Sequence, residues 1–238
     1  MFGYKDYTCN SGWLHRFKNR YNIDWVNKEH GEAASVDKNV VNNWLIKLPE
    51  ITKHYAENDI FNTDETGLFY QLLPSGTMRF KSEKCIGGKN SKLRVSLLLC
   101  ASLQGEKLQP IVIGKSENPR CLPKSINRNN LGVSYRSNKN SWMTKNIFNE
   151  WLLKIDKKFR IQNRKILLFI DNFSGHAVTV NLTNVKIQFY PPNCTSIIQP
   201  LDQGIIQNFK HFYKTGILKS ISSTCKKILI LKSTLKIQ

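Results

Sequence analysis

The sequence predicts a mixed α/β fold, with helices packed on a sheet, and three stretches carry this prediction. Residues 166–170 form an uninterrupted apolar run, which is typical of a strand buried on both faces. Residues 185–190 alternate between apolar and polar side chains and stop at a Pro-Pro pair, as a strand with one buried face does. Residues 144–159 place apolar side chains at helical spacing after a threonine that can cap a helix. This mixture predicts a layered α/β architecture.

The other expected strands lie between residues 59 and 114. A short strand from residue 59 is expected to end on the acid pair Asp64-Glu65 and a turn. An antiparallel meander follows, with strands at 77–81, 93–102 and 108–113 and a hairpin signal between the last two. Residues 117–141 are rich in Asn, Ser and Pro and are expected to form loops.

Three further helices are predicted. Residues 11–20 fit a short helix, and residues 37–55 fit a longer one with Pro49 as a break. The last helix is expected to begin at Asp202, because the exposed N–H groups of a helix start favour a carboxylate. From residue 203 onward the chain has seven lysines and no Asp or Glu. That pattern suits either a core-packing helix with a solvated face or a surface for phosphate groups.

Composition limits the classes of function. The 238 residues are 40% hydrophobic and 11% aromatic, as in a folded globular protein. The formal net charge of +19 favours polyanionic partners, with nucleic acid ahead of acidic membrane surfaces. No apolar run is long enough to span a membrane, and the first residues do not resemble a signal peptide. The six cysteines are scattered without a CxxC pair, which predicts a reduced, intracellular protein with no zinc site.

Three aspartates are expected at the ends of elements: Asp64 and Asp171 leave strands, and Asp202 opens the last helix. If the two strands are neighbours, the three carboxylates converge. Carboxylate oxygens suit Mg²⁺, and two ions about 3.5–4 Å apart can hold the attacking and leaving oxygens of a phosphoryl displacement. Asp64 is then expected to bridge both ions. Turn formation and helix capping are commoner roles for such aspartates, so spacing alone leaves both interpretations open.

Three residues beside these aspartates are candidate auxiliary groups. Glu65 is either an additional acid, or a turn residue or a residue that supports the aspartates from behind. His176 either positions water or the scissile phosphate, or is a structural hydrogen-bonding group. Asn172 either orients Asp171 or simply accepts the turn conformation.

Several segments, in order along the chain, closely resemble the pogo/Tigger branch of DDE superfamily transposases. They are FNTDETGLFYQLLP, GGKNSKLRVSLLLCAS, GKSENPRC, SWMTKNIFNEWL, LLFIDNFSGH and PPNCTSIIQPLDQGIIQNFK. The resemblance implies a ribonuclease-H-like core and a DDD triad of Asp64, Asp171 and Asp202 that is both catalytic and metal-binding. It also implies Mg²⁺ or Mn²⁺ as cofactor, with two ions in the site.

The same resemblance suggests a division of the chain. SGWLHRFKNRYNI is similar to the closing helix of the helix-turn-helix domain shared with centromere protein B, so residues 1–25 are expected to be a truncated remnant of that domain. Residues 26–56 are then a helical linker, 57–215 the DDE transposase catalytic core and 216–238 a basic C-terminal helix. On spacing alone, the first helix fits an ordinary surface helix equally well.

Double-stranded DNA is the expected partner, in the nucleus and without membrane association, and a homo-oligomer is left open. The expected DNA contacts are basic residues of the first helix, of the connection before the 93–102 strand and of the last helix. They are Arg16, Lys18, Arg20, Lys89, Lys92, Arg94, Lys210 and Lys214.

The leading hypothesis is a transposase-like endonuclease that hydrolyses phosphodiesters at transposon ends and transfers the freed strand. The alternative is a domesticated or decayed nuclear DNA-binding protein without catalysis, suggested by the charge and by the partial helix-turn-helix domain. A small-molecule phosphohydrolase ranks below both, because the residues around Asp64 lack the DxDx[TV] phosphatase pattern.

Overall fold

A six-stranded sheet lies at the centre of the computed structural model, which describes residues 10–21, 36–71, 93–123 and 126–234. The strands are β1 (Ile60–Leu68), β2 (Val95–Ser102), β3 (Ile111–Gly114), β4 (Ser134–Ser137), β5 (Ile166–Ile170) and β6 (Val185–Phe189). Their spatial order is β4-β3-β2-β1-β5-β6. The described helices are α1 (Ser11–Arg20), α2 (Lys38–Thr52), α3 (Lys145–Ile161), α4 (Thr195–Ile198) and α5 (Ile206–Thr234).

β1 is the strand at which pairing changes from antiparallel to parallel. It pairs antiparallel with β2 from Phe61 to Leu68. With β5 it pairs in parallel only as far as Asn62, which lies opposite Phe169. β2 and β3 are antiparallel, whereas β3–β4 and β5–β6 are parallel. The first strand and the 166–170 strand are therefore neighbours, which is the condition for the aspartates to converge.

β5 is buried along its whole length, as its continuous apolar sequence predicts. Alternate side chains point to opposite faces of a strand, so one set packs with α3 and the other with α2. Ile166, Leu168 and Ile170 belong to the main core, together with Phe148 and Leu152 of α3. Each such buried side chain contributes about 1.5–3 kcal/mol relative to exposure.

The opposite face of β5 supports a smaller core. Leu167 and Phe169 pack there against three residues of α2, namely Trp44, Leu48 and Ile51. Trp44 meets the Phe169 ring edge-on at 6.2 Å between centroids. The predicted mixed sheet flanked by helices is thus confirmed. None of the helices in the described ranges is long and apolar enough to cross a membrane.

The structure corrects the expected positions of two aspartates. Asp64 lies inside β1 rather than at its end, because pairing with β2 keeps the strand extended to Leu68. Asp202 does not cap the last helix: it lies in a kinked turn, Leu201–Ile205, that precedes α5 and in which Gln203 and Gly204 depart from helical backbone angles. Gly204 in that turn has a φ of +124°, a conformation that residues with a Cβ rarely adopt.

Two element predictions are also wrong, and one falls outside the described residues. Pro49 does not break α2, which continues to Thr52, because only one turn follows the proline and few hydrogen bonds depend on it. Residues 134–137, expected within a loop, form β4 at the edge of the sheet. The expected strand at 77–81 lies outside the described ranges.

Candidate active site

Asp64 lies where β1 and β5 diverge. Its strand remains paired with β2, but pairing with β5 stops two residues earlier, at Asn62. The Asp64 side chain is buried, with the residue only 7% exposed. Its Oδ1 accepts a hydrogen bond of 2.8 Å from the N–H of Glu65. β1 therefore holds this carboxyl group in a fixed position inside the sheet rather than on a loose turn.

Asp202 forms a carboxyl pair with Asp64. Burial of Asp64 raises its pKa to about 8, together with the charge of Asp202, a hydrogen bond to the Asp202 carboxyl group and the charge of Glu65. Asp64 therefore keeps a proton near neutral pH, since a buried carboxyl group ionises at a cost and the neighbouring carboxylate of the exposed Asp202 adds to that cost. The N–H of Asp202 donates to the carbonyl of Gln199 at 3.1 Å, which fixes the start of the turn.

Lys210 of α5 is a cation beside this pair. Burial and the neighbouring charge of Lys214 lower the pKa of Lys210, while Asp64 and Asp202 act in the opposite direction. It is therefore near enough to both carboxyl groups to interact with their charge. The Leu201–Ile205 turn carries Asp202, and Lys210 follows two helical turns later on α5. The acidic and the basic side chain thus lie at the same place.

Asp171 directly follows β5 and is held by His176. Asp171 Oδ1 lies 2.5 Å from His176 Nδ1 and also accepts a hydrogen bond of 3.2 Å from the N–H of Phe173. His176 Nε2 lies 2.8 Å from Glu65 Oε1. The histidine therefore connects the segment after β5 to β1, across the point where the two strands diverge.

His176 is buried, and its ring packs on Phe148 at 4.4 Å between centroids. Burial alone lowers the pKa of His176, but the hydrogen bonds and charges of Asp171 and Glu65 outweigh it and raise this pKa to about 10. Both ring nitrogens are occupied, so the geometry supports the structural interpretation of His176 over direct contact with water or phosphate. Glu65 likewise serves the histidine and is not a turn residue, since it lies within β1.

Asn62 is a buried residue that the sequence analysis did not identify, and it connects the three segments that carry the aspartates. It lies on β1, two residues before Asp64. Its Nδ2 donates to the carbonyl of Phe169, two residues before Asp171, at 3.3 Å. Its Oδ1 accepts from the N–H of Leu201, next to Asp202, at 3.1 Å. The sequence does contain a sign of this role, namely an amide side chain in a strand that is otherwise buried, because a buried polar group needs a hydrogen-bond partner.

The remaining predicted residues are spread over the described chain. Asn172 Nδ2 donates to the carbonyl of Tyr190, which ties the segment after β5 to the end of β6 and does not orient the Asp171 carboxylate. Lys214 follows Lys210 on α5 and is exposed. The Arg94 guanidinium lies over the Trp142 ring, 4.6 Å from its centroid.

The basic residues predicted near the start of the chain lie on α1, which has no buried residue. Of these, Arg16 and Arg20 are exposed and Lys18 is partly exposed. Lys89 and Lys92 fall outside the described residues. DNA contact by any member of this set stays a prediction.

Asp64, Glu65 and Asp171 line one pocket of about 190 Å³, together with Trp142 and Phe173. Its carboxyl oxygens suit a hard divalent cation, and a cation would relieve the repulsion that makes Asp64 keep its proton. Both contacts of Asp171 use Oδ1, so Oδ2 takes part in neither. Yet across residues 10–21, 36–71, 93–123 and 126–234 no three His, Cys, Asp or Glu side chains are grouped closely enough to hold a metal ion together.

Residues 92–236 match the DDE superfamily endonuclease family. The chain belongs to this family. Tigger transposable element-derived protein 4 of Mus musculus is 36% identical to this DDE family member over 93% of the chain and 43% of that relative. CENP-B homolog protein 2 of Schizosaccharomyces pombe is 31% identical over 86% of the chain and 41% of that relative. The chain therefore spans about two-fifths of the length of these relatives.

A solved structure of a paired-end complex of the Mos1 mariner transposase with Mn shares the fold of this DDE family member. The TM-score is 0.55 at 10% identity, over 88% of this chain and 62% of that one. The predicted ribonuclease-H-like fold and the predicted membership in the DDE superfamily are confirmed, and Tigger transposable element-derived proteins are among the relatives of the chain.

Proposed function

We propose that this chain is the catalytic core of a DNA transposase that hydrolyses a phosphodiester at a transposon end and transfers the freed strand. The observation that carries the proposal is the pairing of the buried Asp64 with the exposed Asp202, beside a pocket that Asp64 shares with Asp171. Carboxyl groups placed side by side in a net-basic protein are costly unless a cation binds them, which is typical of a metal-dependent nuclease. Double-stranded DNA in the nucleus is the proposed partner, in keeping with the charge of +19.

The residues divide the work as follows. Asp64 and Asp202 are the proposed ligands of one or two divalent ions, Mg²⁺ or Mn²⁺, with Oδ2 of Asp171 as a further ligand. Bound ions would lower the pKa of a coordinated water and stabilise the charge that develops on the phosphate. Glu65 and His176 hold Asp171 at the pocket. Lys210 binds a DNA phosphate next to the carboxyl pair.

The test is strand cleavage by the purified chain on DNA that carries transposon ends, with Mg²⁺ or Mn²⁺. Asp64→Asn, Asp171→Asn and Asp202→Asn are each expected to reduce the rate at least about 100-fold, since each removes a charged ligand. Asp37→Asn is the matched control, because Asp37 caps α2 through a hydrogen bond to Asn39 that asparagine also makes. Cleavage that survives Asp171→Asn would reject the proposed site.

The second candidate is DNA binding without catalysis. Two observations favour it: Asp171 is paired with His176, and within the described ranges the three aspartates do not form one metal-binding group. The similarity to CENP-B homolog protein 2 supports the same candidate. Under this reading the chain binds DNA, no divalent ion yields a cleaved product, and Asp64→Asn leaves DNA affinity unchanged.

A further inference from the structure

Trp142 is an exposed aromatic residue at the rim of the acid pocket. It lines the same pocket as Asp64 and Asp171, yet 44% of its surface is exposed. Its indole meets the Phe173 ring edge-on at 6.2 Å between centroids. A large aromatic surface left open beside charged carboxylates does not serve the core, which is formed by other residues.

The backbone that carries Trp142 is held rigidly. Asn138 Nδ2 donates to the carbonyl of Trp142 at 2.6 Å, and the N–H of Trp142 donates to Asn138 Oδ1 at 3.1 Å. Ser141, in the left-handed region at φ 51°, has its carbonyl bonded by the hydroxyl of Ser96 at 2.6 Å. Ser96 lies on β2, so the backbone that carries the indole is anchored to the sheet.

Arg94 adds a cation and a second flat surface to this rim. Its guanidinium lies 4.6 Å from the centroid of the Trp142 ring, the usual geometry of a cation–π contact. The stem of Arg94 passes beside Gly67, where an added Cβ would lie 3.8 Å from Cδ of the arginine. Gly67 also lines the pocket, so the arginine lies alongside the acids and not on a remote face.

We propose that the Arg94–Trp142 pair binds an unpaired nucleobase of the DNA strand whose phosphodiester lies at the acid pocket. This inference rests on the proposed function, because it takes the strand at Asp64 and Asp171 to be DNA. Every base has a flat π-face that stacks on indole or on a guanidinium plane, whatever its sequence. A base inside a duplex is covered by its neighbours, so the bound nucleotide must be unstacked, and the positive charge of Arg94 holds its phosphate.

The experiment measures DNA binding without divalent ions, so that no strand is cut. Three ligands of equal charge are compared by fluorescence anisotropy: a fully paired duplex, a duplex with a short unpaired thymidine arm, and the same duplex with an abasic arm. The variants are Trp142→Ala, Trp142→Phe and Leu153→Ala. Leu153 is 48% exposed on α3 and serves as the control for loss of an exposed apolar side chain.

Trp142→Ala is expected to weaken binding of the thymidine arm about 5- to 100-fold, with little effect on the paired duplex or the abasic arm. Trp142→Phe should recover most of this loss, because phenylalanine keeps a stacking face. Equal losses on all three ligands, or none on the thymidine arm, would overturn the inference. If binding depends on the base but no divalent ion supports cleavage, the nucleobase site is retained and the proposed enzyme is rejected. If DNA is cleaved but binding does not depend on the base, the proposed enzyme is retained and the nucleobase site is rejected.

Discussion

Asn62 shows how one side chain can place residues that are distant in sequence. Leu201, to whose N–H it is bonded, is 139 positions away, and Phe169, whose carbonyl it contacts, is 107 positions away. Asn62 and Phe169 form the last pair of the β1–β5 ladder, so the side chain of Asn62 continues the contact between the two strands where backbone pairing ends. The spacing of Asp64, Asp171 and Asp202 therefore depends on a residue that is not itself an acid.

Asn62→Ala is expected to lower the free energy of unfolding by about 1–3 kcal/mol, because it leaves a buried carbonyl and a buried N–H unpaired. Urea denaturation measures this loss. Asn149→Ala is the matched control, since Asn149 is also buried, donates to Lys145 and Ala177 and accepts from Thr179. Both variants should lose similar stability, but only Asn62→Ala should lower kcat for DNA cleavage, with a smaller change in KM. Equal kcat for the two variants would contradict the positioning role.

At the residue scale, the sequence predicts only those features of the site that follow from family resemblance or from the polarity of a side chain. The sequence selects Asp64, Asp171 and Asp202, and the structure places Asp64 near Asp202 and in one pocket with Asp171, while their catalytic role stays a prediction. The bond between His176 and Glu65 was not predicted. It joins positions 111 apart, and only the strand order makes them neighbours.

The Leu201–Ile205 turn is an element whose shape depends on one glycine. Gly204 has a φ of +124°, whereas nothing lies within 4 Å of the place where its Cβ would be. Gly204→Ala should therefore cost about 1–2 kcal/mol through backbone strain alone. Gly216→Ala is the matched control, because Gly216 also has open space around it but lies inside α5, where alanine is favoured by about 1 kcal/mol. Thermal unfolding of both variants checks the opposite signs.

Asp156 of α3 holds the segment that leads into β6. Its Oδ1 accepts the N–H groups of Thr183, Asn184 and Val185 at 2.9, 2.7 and 3.1 Å. Burial acts to raise the pKa of Asp156, but these hydrogen bonds and that of the Thr183 hydroxyl outweigh it and lower the pKa. The ionised form is thus the one that the folded state binds best.

Asp156→Asn should lower the free energy of unfolding by about 1–3 kcal/mol at neutral pH. A carboxyl whose pKa is lower in the folded state stabilises above its ordinary range, near pH 4, and loses that contribution as the pH falls through the folded-state pKa. The gap between wild type and variant should therefore close in acid, which urea denaturation at several pH values measures. Glu150→Gln, at an exposed ion pair with Arg136, should change stability by less than about 1 kcal/mol at any pH.

At the element scale, long apolar patterns were predictable and short polar ones were not. The buried strand β5 and the capped helix α3 appear where their sequences place them. β4 was missed because Ser134–Ser137 has no apolar alternation, and only pairing with β3 makes it a strand. The predicted position of Asp202 at the start of α5 is wrong, because a kink between two helical segments leaves no periodic pattern in the sequence.

The whole molecule carries a formal charge of +19, and this charge predicts strongly salt-dependent DNA binding. The logarithm of the association constant should fall linearly with the logarithm of salt concentration. Lys210→Gln and Lys214→Gln should each make the slope less steep by about 1, whatever the DNA sequence. Lys157→Gln, at an exposed position on α3, should leave the slope unchanged. A slope that does not respond to either α5 variant would remove that helix from the DNA contact.

The early end of the β1–β5 pairing makes the site a fork in the sheet. One prong, with Asp64, stays attached to β2, and the other, with Asp171, is tied through Asn172 to the end of β6. Under the proposed function, a DNA strand that binds between Asp64 and Asp171 would push these two separately anchored prongs apart. Such a separation would strain the hydrogen bond from Asn62 to Phe169 and the contact of His176 with Glu65. The pairing of β1 with β5 from Ile60 to Asn62 would remain intact.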